Sequence, residues 1–155
     1  NLYAIYWSDN NYYLIGAHDN HDNLVNYRLD RIVNLTMSDE KMIDAKEKVG
    51  VNPEMIIQDY IEKSVNHFQG ELIRVEVEYE PGQAANAILY DFAGGNIRVR
   101  KLENGHCVAS FQKMDSVTLV GWFMQYANIY KVLAPRELTD SIKKRINEVA
   151  DKYII

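Results

Sequence analysis

A single cysteine, Cys107, occurs in the 155 residues, so no internal disulfide framework can staple the fold. That usage fits a reducing compartment, and the expected location is the cytoplasm; the thiol itself reads as a buried structural one. No apolar run approaches the roughly 20 residues of a membrane-spanning helix. The apolar opening, residues 2–7, is short and has no basic stretch before it, so it does not read as a signal peptide. Positive charge is scarce as well, with 17 Lys and Arg against 22 Asp and Glu and a net charge of −5. Non-specific binding to duplex DNA rests on neutralising phosphates, so the chain as a whole does not read as a duplex-binding surface. Cations cluster only at Arg98–Lys101 and at residues 143–145. There is no phosphate loop, no G-x-S-x-G elbow, no triad around Cys107 and no pair of carboxylates in a credible cleft. The expectation is a protein that is not an enzyme and holds no cofactor.

Aromatic and alternating stretches are abundant. Residues 2–7, 12–17 and 24–35 read as three strands of a meander, with Asn- and Asp-rich turns at residues 8–11 and 18–23. The second turn, His18-Asp19-Asn20-His21-Asp22, offers metal-ligand side chains, but no further ligands follow at a fixed spacing, and it reads as a solvated loop. Six aromatics (Tyr3, Tyr6, Trp7, Tyr12, Tyr13 and Tyr27) crowd this region, either as core and edge or as a platform for stacking bases. Period-2 alternation across residues 24–35 places Tyr27, Leu29, Arg31 and Val33 on one face and Arg28, Asp30 and Ile32 on the other. Arg28 and Asp30 can then bridge. Arg31 is a cation on an apolar face, which must be paired, reach water or receive an anion.

The Tyr12-Tyr13-Leu14 strand, the polar loop and the run Tyr27-Arg28-Leu29-Asp30-Arg31-Ile32 closely resemble the signature of the WYL-domain family of bacterial transcription regulators. The first aromatic is Tyr12 where the family has Trp, and Val25 stands where relatives often place a basic residue. The resemblance implies an N-terminal winged helix-turn-helix domain, a WYL domain of the SH3/Sm-like β-barrel type, and a C-terminal extension. It also implies that Arg28 and Arg31, with Tyr12 and Tyr13, bind an anionic nucleotide or single-stranded nucleic acid effector. A guanidinium fork suits phosphate, and an adjacent ring can stack on a base. The competing reading is a structural Arg28–Asp30 bridge with Arg31 satisfied by carbonyls.

Beyond residue 36 the period changes. Thr36 with Asp39 resembles a capping box, ahead of a short helix ending at Gly50. Asn52-Pro53-Glu54 restarts a helix whose face is Ile57, Ile61, Val65 and Phe68, stopped by Gly70. A second unit follows: a strand over 72–80, a helix after Pro81-Gly82, strands over 96–102 and 106–114 flanking Asn104-Gly105, a helix capped by Asp115, a strand over 129–133 and a final helix. The order β-α-β-β-α-β-α predicts a ferredoxin-like sheet with a C-terminal helix. Gly121-Trp122, the step at residues 132–135 and the last helix also resemble the family's C-terminal extension. Arg98 and Arg100 share a strand face that is either solvated or a second anion contact.

The expected class is therefore α+β, with C-terminal barrel strands over 1–36, a helical connector over 37–70 and a ferredoxin-like extension over 71–155. The abrupt strand at residue 2 suggests the C-terminal part of a longer protein. The expected role is effector sensing and homodimerisation, with duplex DNA contacted only through an N-terminal helix-turn-helix domain outside this sequence. The alternative is a ligand-free dimerisation module. Expected ligand contacts are Tyr12, Tyr13, Arg28, Arg31, Arg98 and Arg100.

Overall fold

A computed structural model describes residues 1–8, 10–18, 24–50, 60–64 and 70–153. Two compact units divide the chain, Asn1–Ile61 and Glu62–Ile155. The architecture is mixed α and β, with one antiparallel sheet in each unit.

In the first unit β1 (Leu2–Ser8), β2 (Asn11–Ala17) and β3 (Leu24–Arg28) pair in chain order. Ser8 stands opposite Asn11, and Asn10 takes a left-handed φ of 60°, a conformation Asn tolerates better than most residues. Residues 19–23 of the second turn lie outside the described residues. The third strand is shorter than its alternation predicts. It ends at Arg28, and Leu29–Arg31 forms a 3-10 turn. Among the described residues β3 pairs with β2 alone, and although β2 runs on to Asn11 the ladder stops at Tyr13↔Arg28, where the chain turns into the 3-10 helix. Beyond that point an extended backbone gains no sheet hydrogen bonds, and Val33 and Met37 are 92% and 99% exposed. The first connector helix, α1 (Ala45–Val49), starts later than expected. Asp44 rather than Thr36 caps it, accepting from Lys46 N at 2.8 Å. Gly50 ends it at φ 70°, a left-handed cap without Cβ crowding. Of the second expected helix, Ile61–Lys63 is helical (α2), while residues 51–59 and 65–69 lie outside the described residues.

The second unit runs β4 (Leu72–Tyr79), α3 (Gln83–Ala93), β5 (Arg98–Lys101), β6 (Cys107–Met114), α4 (Val117–Gln125), β7 (Tyr130–Ala134) and α5 (Arg136–Tyr153). Its strand order is β5-β6-β4-β7, antiparallel throughout, so each β-α-β crossover steps over one strand. Alternation sorts the faces. Val75, Val77 and Tyr79 stand opposite Phe111, Ala109 and Cys107. With Leu89, Leu119, Phe123 and Leu138 from the helices they form one buried core. Trp122 stacks on Phe92 at 3.6 Å between ring centroids and, on its other side, on Tyr130 at 5.5 Å. Ser116 caps α4, its Oγ accepting from Leu119 N at 3.2 Å, one residue after the expected Asp115.

Lys113 shares the apolar face of β6 and is 3% exposed. Its ammonium donates to the carbonyl of Glu62 and lies 4.8 Å over the Phe92 ring. The Glu62 carboxylate in turn accepts from Gly95 N at 2.6 Å. Gly94, at φ 78°, is what admits that carboxylate, since a Cβ there would collide with Glu62 Oε1. Burial pulls the Lys113 pKa down to about 8.

Candidate functional site

The register of the first sheet decides which of the sequence-selected residues meet. Tyr13 and Arg28 are cross-strand partners on one face, and Tyr6 is opposite Tyr13. The Tyr6 and Tyr13 rings stack, with centroids 5.4 Å apart and planes 20° from parallel. Tyr6 is the fixed member. Its hydroxyl donates to Asn26 Oδ1 at 3.2 Å, Asn26 Nδ2 donates to the Tyr60 hydroxyl at 3.1 Å, and Tyr60 donates to the Leu24 carbonyl at 3.3 Å. Burial raises the Tyr60 phenol well above its ordinary range, so this network keeps its protons at neutral pH. The result is a rigid tyrosine pair with a guanidinium beside it.

Arg28 is also held from the other side. Its Nε and Nη2 donate to Asp30 Oδ1 and Oδ2 at 2.8 and 2.7 Å, a two-pronged bridge at the protein surface. The hydrogen bond to Asp30 raises the Arg28 pKa, with Tyr13 acting in the same direction, and that bond lowers the Asp30 carboxyl below its ordinary value. The bridge spans the 3-10 turn rather than a continuous strand.

Tyr12 and Arg31 lie elsewhere. Tyr12 is on the opposite sheet face, where it meets Trp7 edge-on at 4.6 Å. Arg31 lies past the end of β3, exposed, with no ion pair among the described residues. The tyrosine-lined position expected for Arg31 belongs to Arg28, because β3 stops there. Arg98 and Arg100 are exposed on β5 of the second unit and share the sheet face turned away from the core.

Asn26 and Tyr60 escaped the sequence reading, and Tyr6 entered it only as one of the six aromatics, because their contacts depend on the fold. Lys113 carried a signal, a cation alternating with Cys107, Ala109 and Phe111, the same signal that drew attention to Arg31. Among the described residues no group of three or more His, Cys, Asp or Glu could hold a metal ion, and no helix is long and apolar enough to cross a membrane.

Comparison with known proteins agrees with the two-unit division. The WYL domain matches residues 3–37, which contain the tyrosine pair and Arg28. The WCX domain, the WYL C-terminal extension, matches residues 71–150, more than half of the chain. No curated protein matches the chain. WYL and WCX domains are associated with regulators that sense ligands. On these matches the chain belongs to the WYL-domain regulator family.

Proposed function

We propose that this chain is the effector-sensing region of a cytoplasmic, non-enzymatic transcription regulator, and that its effector is an anionic nucleotide or single-stranded nucleic acid. In this reading the first three strands are of the SH3/Sm-like barrel type and the second unit is ferredoxin-like. Duplex DNA is contacted through an N-terminal helix-turn-helix domain of the longer regulator. The observation that carries the reading is the Tyr6–Tyr13 stack with Arg28 beside it, within the stretch that matches the WYL domain. Tyrosine rings are surfaces on which bases stack, and a guanidinium offers donors to a phosphate. Arg31, exposed just past the strand, adds a second cation within three residues.

Single-stranded oligonucleotides and mononucleotides titrated into the protein test this. Binding is expected to weaken steeply with salt. Arg28→Ala and Arg31→Ala are each expected to reduce affinity about tenfold, the effect of losing one charge-assisted hydrogen bond. Unchanged affinity in both variants would remove the tyrosine pair and its arginines from consideration.

One observation favours a second reading, a ligand-free homodimerisation module. Ile5, Trp7 and Tyr12 lie together on the other face of the first sheet, with Trp7 57% and Tyr12 51% exposed. Aromatic clusters of this kind serve protein contacts. Sedimentation separates the two readings, because an apolar dimer resists salt and needs no nucleotide.

A further inference from the structure

The face of the second unit's sheet turned away from the core carries three arginines, Arg74, Arg98 and Arg100, none with a carboxylate in ion-pair reach among the described residues. Arg74 stands opposite Gln112 and Arg98 opposite Ser110. Two guanidinium-bearing strands therefore flank β6 from either side, above a hydroxyl and an amide. Arg74 Nη1 already donates to Ser110 Oγ at 3.4 Å. With the turn at 95–97, these four residues line a polar pocket of about 340 Å³.

We propose that this pocket binds the phosphate monoester of a small molecule. A monoester carries close to two negative charges near neutral pH and three acceptor oxygens, which match two guanidinium forks and two neutral donors. A pocket of this size falls at the small end of the range for small-molecule sites. Recognition stops at the phosphate, because the open face offers no stacking surface. Its β4 and β6 positions are Leu72, Arg74, Glu76, Glu78, Val108, Ser110, Gln112 and Met114, without an aromatic among them, and Phe111, which also lines the pocket, is buried in the core. A single strand held by its bases needs such rings. The nearby carboxylates oppose an anion and limit its affinity. Glu78 is engaged by His106 Nδ1 at 3.1 Å and Lys131 Nζ at 4.0 Å, while Glu76 stands opposite Ser110 and pairs with neither arginine. This site stands whether or not the tyrosine-flanked Arg28 binds an effector.

Ribose 5-phosphate titrated into the full chain and followed by amide chemical shifts is the test, with free ribose and a dinucleoside phosphodiester as comparators. Shifts are expected to concentrate at Asn96, Ser110 and Gln112, with the monoester bound more tightly than the monoanionic diester. Arg74→Gln and Arg98→Gln are each expected to weaken binding about tenfold, and Glu76→Gln to tighten it. Arg136→Gln, which removes an exposed cation paired with Asp140, is expected to leave it unchanged. Both pocket arginines are exposed, so circular dichroism should show an intact fold in their variants. Absence of shifts at about a hundredfold excess over protein, unchanged affinity in both pocket variants, or equal affinity for diester and monoester would each overturn the proposal.

Discussion

A buried lysine has a measurable consequence for stability. Folding takes the Lys113 pKa from 10.5 to about 8 through burial. Between those values the unfolded chain holds a proton that the folded chain has released, so stability increases with pH across the window. Above about pH 10 the balance reverses. Burial raises the phenols of Tyr60, Tyr79 and Tyr130, the last to about 12, so the unfolded chain there loses protons that the folded chain keeps. Urea unfolding should therefore show stability rising by on the order of 2 kcal/mol from about pH 8 to pH 10 and falling beyond it. Lys113→Met is expected to abolish the rise while leaving the fall. A flat profile from pH 8 to 10 in the unaltered protein would mean that water reaches the ammonium. The same residue shows how much of a site can be read from sequence. A cation that alternates with apolar residues is a sound signal, and it holds for Lys113. It does not hold for Arg31, because the strand that would have placed Arg31 on that face ends three residues earlier.

At the scale of elements, punctuation proved legible and pairing did not. Pro81-Gly82, Gly94-Gly95 and Asn104-Gly105 break the chain for local reasons: fixed φ, freedom at positive φ and side-chain-to-backbone bonds. The elements between them fall within a residue or two of expectation. Ends governed by a neighbour behave differently. The end of β3 depends on where the chain turns away from β2, which no local pattern records, and the tyrosine pair depends on the register of β1 against β2. Caps are intermediate cases. Asp115 and Ser116 are both good N-cap residues, and the choice of Ser116 follows from which oxygen reaches Leu119 N. Ser116→Ala should accordingly cost about 1 kcal/mol in denaturant unfolding, while Asp115→Ala should cost less. Equal losses would indicate that the two residues share the cap.

For the molecule as a whole, the two tryptophans fall in different units, Trp7 in the first and Trp122 in the second. The second unit holds a contiguous core from three strands and three helices, with Trp122 stacked on two rings. The first unit leaves Ile5, Trp7 and Val33 exposed. Apolar burial dominates stability, so the second unit should unfold at the higher denaturant concentration. Two variants separate the signals. In Trp7→Phe the remaining fluorescence reports Trp122, and in Trp122→Phe it reports Trp7. The midpoint seen through Trp122 is expected to lie above the one seen through Trp7, with far-ultraviolet circular dichroism of the unaltered protein spanning both. Replacing Trp122 removes stacking from the second unit alone, so it should leave the Trp7 midpoint unmoved if the units unfold independently. Coincident midpoints would instead require a single cooperative transition, and effector binding at the tyrosine pair would then stabilise both sheets together. Adding a single-stranded oligonucleotide therefore completes the measurement. With independent units it should raise the Trp7 midpoint and not that of Trp122.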